Sequence, residues 1–194
     1  MYILRCTAKL LKELRCLPVS DEIADDARAE VWFANLLRLD RRKCALFTNK
    51  DTLYSIFVPG LKREDFLNFK AIFTEGLRVS LAAERIELKQ KQTSFSECKD
   101  ILIAKTNSKS VLGSMNDLAL QIEYHIKDHG GLSYIDLQRL NRDLNRVPMA
   151  TIGYHYSIER MKEKLETPSI SGELHLFEEM KVVAADSEKL RLPF

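Results

Sequence analysis

A chain of 194 residues with 45% hydrophobic side chains is long enough to bury one sizeable core and too apolar to be a disordered segment. Thirty basic against twenty-eight acidic residues give a formal charge of +2, which excludes the bulk basicity of a dedicated nucleic-acid-binding domain, so any polyanion site must be local. That charge is uneven, because residues 166–194 carry six acids and three bases and so leave residues 1–165 at +5.

Cys6, Cys16, Cys44 and Cys98 are widely spaced and form no C-x-x-C pair, a usage that favours reduced thiols over a secreted disulfide framework. The N-terminal stretch MYILRCTAKLLKELR is interrupted by Arg5, Lys9 and Lys12, so it has neither the apolar core of a signal peptide nor the length of a membrane span. A cytoplasmic protein is expected.

Tyr2 to Cys6 reads as a short buried strand, and Thr7 as the cap of a helix that buries Leu10, Leu11 and Leu14 and is ended by Pro18. Residues 20–30, SDEIADDARAE, are acidic and poor in large apolar groups, which predicts a solvated connection or a short exposed helix. From Trp32 to Gly60 the pattern predicts a three-stranded antiparallel meander with strands at about 33–39, 43–48 and 52–58. Asp40-Arg41-Arg42 and Asn49-Lys50-Asp51 supply its turns, and Pro59-Gly60 its stop.

Helical spacing of Phe66, Phe69, Phe73, Leu77 and Leu81 follows, with Gly76 marking either a close contact or a bend. Ile101 to Ala104 predicts another strand. A polar loop from Lys105 to Ser110 then leads to a helix expected near Ser114, where Ser114 and Asp117 have capping-box spacing, and ending at Gly130-Gly131. A helix from Tyr134 to Val147, a strand around Met149 to Tyr156 and a helix from Ser157 to Leu165 complete the body. Thr167-Pro168 marks the start of a tail in which HLFEEMKVV is apolar enough to dock.

Positive charge gathers at the meander turns in Arg38, Arg41, Arg42, Lys43 and Lys50. A basic hairpin contacts phosphate oxygens without reading base sequence, although edge charges also serve to discourage strand aggregation. Arg139, Arg142 and Arg146 share one helical face opposite Leu137, Leu140, Leu144 and Val147, with Asn141 and Asn145 flanking them. Guanidinium forks suit phosphate or carboxylate, and a merely solvated face has the same pattern.

The Lys105 to Ser110 loop is a donor-rich strand-to-helix connection suited to an anion, but it lacks both G-x-x-x-x-G-K-[ST] and G-x-G-x-x-G, so helix capping is its simpler role. His125 and His129 lie one helical turn apart, yet Ile126 excludes H-E-x-x-H and Asp128 departs from H-x-x-E-H; no metal is expected. Cys44 and Cys98 have no adjacent histidine, and no G-x-S-x-G elbow exists. Trp32 and Tyr54 read as sheet anchors that also suit a stacking surface. The candidate ligand-binding set is therefore Asn35, Arg41, Arg42, Lys43, Asn49, Lys105, Asn107, Asn116, Arg139, Arg142 and Arg146.

The phrases RCTAKLLKEL, WFANLLRLDRRKCALFTN, TLYSIFVPGLKREDF, KTNSKSVLGSMNDLA and LNRDLNRVPM, in this order and across about residues 1–160, together resemble a family of small bacterial and plasmid- or phage-associated proteins known mainly as a domain of unknown function. The resemblance implies a cytoplasmic α+β domain, reminiscent of the N-terminal part of plasmid ORF-3-like proteins, and brings no reaction or cofactor with it. Asn35, Arg41, Lys43, Thr48, Asn49, Thr52, Asn107, Gly113, Asn116 and Asn141 fall within the matching phrases.

The expected architecture is a single α+β domain over residues 1–165, an antiparallel β-meander sheet with helices packed mainly on one face, followed by a C-terminal extension over 166–194. The expected function is non-enzymatic binding of a phosphate-bearing partner, nucleic acid or nucleotide, with no cofactor and no membrane. Two alternatives stand beside it: a protein-interaction or anti-defence accessory of plasmid or phage origin that uses the sheet edge or tail, and a nucleotide- or nucleic-acid-cleaving enzyme that assembles Arg41, Asn116 and His125.

Overall fold

The apolar run Tyr2–Cys6 forms strand β1, and it lies inside the sheet rather than at its border. In this computed structural model, which describes residues 1–24, 29–86 and 101–166, β1 pairs in parallel with both β2 (Glu30–Leu39) and β5 (Ile101–Lys105). Strands β2, β3 (Arg42–Asn49) and β4 (Ser55–Leu61) form the meander, giving the sheet order β4-β3-β2-β1-β5. The α+β class holds, but the purely antiparallel sheet expected from sequence is replaced by a mixed one. Alternation along a strand reports which face is buried and is silent on the direction of its neighbour.

Met1–Lys164 form one compact unit. Its helices cover both faces of the sheet, not mainly one. On the first face, α1 (Ala8–Leu14), α3 (Arg63–Leu67) and α4 (Phe69–Ala83) pack on the even-numbered side of β2. Trp32 meets Phe73 edge-on with ring centroids 5.2 Å apart, and Phe47 meets Phe69 at 5.3 Å. On the second face, α5 (Lys109–Asp128) and α6 (Leu137–Leu144) cover Phe33, Leu46 and Phe57 with Met115, Leu118, Ile122, Leu140 and Leu144. The near-continuous apolar runs WFANLL and CALF were the sequence signal for this, since a strand buried on both faces loses its alternation.

Several boundaries move for local reasons. Helix α5 begins at Lys109, capped by Ser108, whose hydroxyl accepts from the Val111 N–H at 3.3 Å; Ser114 is buried inside the helix and bonds Thr151 at 2.9 Å. The S-x-x-D spacing was therefore a decoy. Pro59-Gly60 does not stop β4, which reaches Leu61 through a bulge where the register shifts between Lys43 and Ala45 and Gly60 takes φ 72°. The first turn is carried by Asp40 and Arg41, with φ 47° and 60°, the two positive values of a tight hairpin turn.

Gly76 marks a close contact: a Cβ there would stand 3.3 Å from Val58 Cγ2. The expected strand around Met149 to Tyr156 is a small hairpin of β6 (Pro148–Met149) and β7 (His155–Tyr156), followed by α7 (Ser157–Glu166). Of the acidic connection, Asp21–Ala24 form the short helix α2, while residues 25–28 and the HLFEEMKVV segment lie outside the described residues.

Both borders of the sheet are covered. At β5 the incoming chain adds a bridge, with the Val19 N–H donating to Ile103 O at 2.8 Å. At β4 the cover is made of side chains. The Asn145 amide accepts from Ser55 N–H at 2.7 Å and donates to Ser55 O at 2.8 Å, and Asn141 repeats the pair on Phe57 at 2.6 and 3.1 Å. Two asparagines one helical turn apart thus act as a substitute strand for an otherwise open edge.

Tyr54 is fully buried and its hydroxyl shares a 2.7 Å hydrogen bond with Ser80. Burial, reinforced by the nearby Glu84 carboxylate, pushes its phenol up to about 12. The folded phenol keeps its proton to higher pH than the unfolded one, so its contribution is complete below the unfolded value of about 10 and is lost as pH rises through the folded value. Unfolding free energy should fall by on the order of 2 kcal/mol over that alkaline window. Chemical denaturation of Tyr54→Phe across the same range should show a shallower fall; equal slopes would rule Tyr54 out as the cause. Tyr2 and Cys6, also raised by burial, and the raised Cys44 and Lys164 act in the same direction.

Candidate crevice at the strand ends

Strands β1 and β5 are adjacent and parallel, but the helices that follow them leave to opposite faces, α1 to the α4 side and α5 to the other. A crevice opens at the carboxyl ends of parallel strands where such a divergence occurs, and ligands of open α/β sheets bind there. Here it is enlarged because β2 outlasts its neighbour. Pairing of β1 with β2 ends at Cys6 and Ala34, with a last bond from Thr7 N–H to Ala34 O at 3.0 Å, while β2 runs on to Leu39. Leu36 and Arg38 share the parity of Ala34, so their backbone groups turn to the side where β1 has ended.

The resulting cleft has a volume of about 510 Å³. Its walls are Lys9 from the first turn of α1, the Leu36–Leu39 segment of β2, and Asn116, Ala119, Leu120 and Glu123, which at i, i+3, i+4 and i+7 form one stripe of α5. Among the described residues neither Lys9 nor Arg38 closes an ion pair, and the Asn116 amide has no protein partner, whereas Glu123 is bound to Lys127 at 2.8 Å. Leu120 is 54% exposed and gives the cleft an apolar wall. At its base, the Thr7 hydroxyl donates to the buried Asn35 amide oxygen at 3.0 Å, so Thr7 ties the end of β1 to β2 rather than capping α1.

Of the residues expected to bind a ligand, Asn116 lines this crevice, Asn35 is buried behind it on β2, and exposed Lys105 and Asn107 stand at the β5–α5 turn. Arg41 and Arg42 do not. They lie at the hairpin tip, where Arg42 donates to Ser133 Oγ at 3.0 Å and Asp40 accepts from Leu132 N–H at 3.1 Å, beyond the far end of α5. Glu123, the lining residue of α5 nearest that tip, is five residues, about 8 Å, short of the helix end at Asp128. Lys43 is the cross-strand partner of Arg38 and shares its face, but it is outside the crevice lining, hydrogen-bonded to Glu13 and 5.4 Å from the centre of the Phe66 ring. That ammonium holds the Glu13 carboxyl below its ordinary pKa.

The remaining candidates serve the fold. Asn49 is buried, and its amide oxygen accepts from Asp51 N–H, Thr52 N–H and the Thr52 hydroxyl at 3.0–3.1 Å, organising the β3–β4 turn. Arg146 grips buried Glu84 through two bonds of 2.6 Å, and Arg139 lies 3.7 Å from Asp143. Arg142 is the member of that stripe left exposed without a carboxylate among the described residues. Asn116 and His125 are nine residues apart and so on opposite sides of α5, lining different clefts, which separates the groups of the cleavage alternative. The His125 and His129 rings stack at 4.1 Å, and the described residues contain no group of three or more His, Cys, Asp or Glu able to hold a metal.

Sequence reasoning missed Lys9. The available signal was its position, in the first helical turn after a buried strand, where a side chain reaches the carboxyl end of the sheet.

A mixed α+β sheet with a crevice at the ends of its parallel strands defines the class of domain. Residues 3–160 match the family described as "Domain of unknown function (DUF6933)", and the chain belongs to that family. No curated protein and no solved structure matches it. Cys6, Cys16 and Cys44 are free thiols, and among the described residues no helix is long and apolar enough to cross a membrane.

Proposed function

We propose that this cytoplasmic protein is a non-enzymatic binder of a phosphate-bearing ligand, a nucleotide, held in the crevice between α1 and α5. The observation that carries the reading is the convergence on one cleft of Lys9 and Arg38, which close no ion pair among the described residues, with the Asn116 amide, which has no partner among them. Lys9 and Arg38 meet the phosphates, while Leu120 and Ala119 offer an apolar wall to the base. A polymer is the weaker fit, because Arg41 and Arg42 lie at the hairpin tip and Lys43, Arg146 and Arg139 are paired with Glu13, Glu84 and Asp143.

Calorimetric titration of ATP and ADP at low ionic strength should give saturable binding that Lys9→Glu or Arg38→Glu weakens at least about tenfold. Arg41→Glu should leave it unchanged. Single-stranded DNA or RNA binding that falls steeply with salt and responds to Arg41→Glu would transfer the site to a polymer at the hairpin tip. If nucleotides and nucleic acids all fail to bind at low salt, the reading is wrong.

The unpaired Leu36–Arg38 backbone favours a second reading, in which an extended segment of another protein pairs with β2. A plasmid or phage accessory with an anti-defence role would use it so. Copurification of one stable partner that survives nuclease treatment and is lost in a Leu36→Pro variant would support it.

A further inference from the structure

At the β4 border of the sheet, away from the crevice, a groove of about 230 Å³ runs between α4 and α6. Its body is apolar: Val58, Ile72, Val79, Ala83 and Leu137 line it, and Gly76 lets α4 approach close enough to form its floor. Val79 is 40% exposed there, so the groove is open to a ligand. Most polar groups at its rim are committed. Asn141 is bonded to Phe57, and Glu75 forms a bidentate pair with Arg78 at 2.6 and 2.8 Å.

With the neutral Gln138 amide, Arg142 is the exception among the described residues. It lines the groove and also the polar depression beyond it that holds Arg139 and Arg146, and it is the one guanidinium of the three with no carboxylate partner among the described residues. An apolar trough that ends at one unpaired guanidinium is complementary to a molecule with an apolar body and one negative end. The charge should be single. Asp136, Asp143 and Glu75 surround the same mouth and oppose a dianion such as a phosphate ester.

We propose that the groove between α4 and α6 binds a small amphiphilic carboxylate, with its chain or ring against Val58, Ile72, Val79 and Ala83 and its carboxylate on Arg142. The volume fixes the scale. It is about half as large again as the ~150 Å³ apolar cavity that takes up one benzene, which corresponds to a body of about eight carbons. This site is separate from the crevice, and its ligand does not depend on the nucleotide reading.

The experiment titrates the full chain with octanoate, octanol and octylammonium, following binding by calorimetry and location by the methyl resonances of Val58 and Val79. Octanoate is expected to bind saturably and to shift both resonances, with octylammonium the weakest of the three. Arg142→Gln, at an exposed position that leaves the fold intact, should weaken octanoate about tenfold and leave octanol unchanged. Ala83→Phe, which fills the trough, should abolish both; Val79→Phe serves if that variant does not fold. Equal affinity for octanoate and octylammonium, indifference to Arg142→Gln, shifts elsewhere than Val58 and Val79, or displacement of a self-associated form in place of one-to-one binding would each overturn the proposal.

Discussion

Asn145→Ala should lower the unfolding free energy by about 3 kcal/mol, a large share of a single domain's stability. Asn145 is fully buried at the end of α6, and alanine removes an acceptor from Ser55 N–H and a donor from Ser55 O at once. Ser55 is itself fully buried, so water cannot take over either bond. Each orphaned backbone group costs about 1–3 kcal/mol. Asn145→Asp should be no better, because a carboxylate accepts from the N–H but repels the Ser55 and Asn141 carbonyls. Half-buried Asn141 is a graded control, and its alanine variant should lose about 1 kcal/mol because water reaches that rung. Urea unfolding of the three variants decides the matter: an Asn145→Ala change no larger than that of Asn141→Ala would show that the edge amides are incidental.

Arg5→Met should cost about 4 kcal/mol, although the side chains are similar in volume and burying an apolar group is ordinarily favourable. Arg5 is 1% exposed and its guanidinium donates to Lys105 O at 2.7 Å and Ala24 O at 3.1 Å. Those carbonyls remain when the arginine is gone, so methionine leaves them unpaired instead of replacing a polar pair with an apolar one. The partner carboxylate behaves differently. Asp21 accepts from Arg5 at 3.2 Å but its side chain is 67% exposed, and Asp21→Asn should change stability by less than about 1 kcal/mol. Because Lys105 O ends β5 beside the crevice, Arg5→Met should also weaken nucleotide binding by loosening the β5–α5 turn. Unfolding curves and titrations of the two variants test both halves, and a wild-type curve for Arg5→Met would refute the account.

What the sequence discloses is local. The span Tyr2–Cys6, the meander turn at Asp40-Arg41 and the helix end at Gly130-Gly131 follow from short-range chemistry, and the structure has them. What it conceals depends on partners far along the chain. Nothing near Tyr2 announces that residues 30–34 and 101–105 will flank it, and without that pairing there is no crevice to expect. Asn141 and Asn145 were read as polar flanks of an arginine stripe because their spacing was visible and the edge strand 84–90 residues away was not. Asn49, likewise, is indistinguishable in sequence from a ligand-binding amide until its oxygen is seen folded into its own turn.

The asparagine pair has one more consequence. One helical step of four residues advances about 6.0 Å, and two strand residues about 6.8 Å, so rungs on Ser55 and Phe57 match within an ångström. A further step leads to Leu137 on the helix and Pro59 on the strand. Proline has no N–H, so the mismatch that would build up at a third rung falls where there is no donor to satisfy. Every outward position of β4 from Ser55 to Pro59 is therefore closed as a donor, by an amide twice and by covalent structure once. A second molecule arriving at this stretch finds no N–H to template its own strand, so crowding alone should not drive fibre growth from β4.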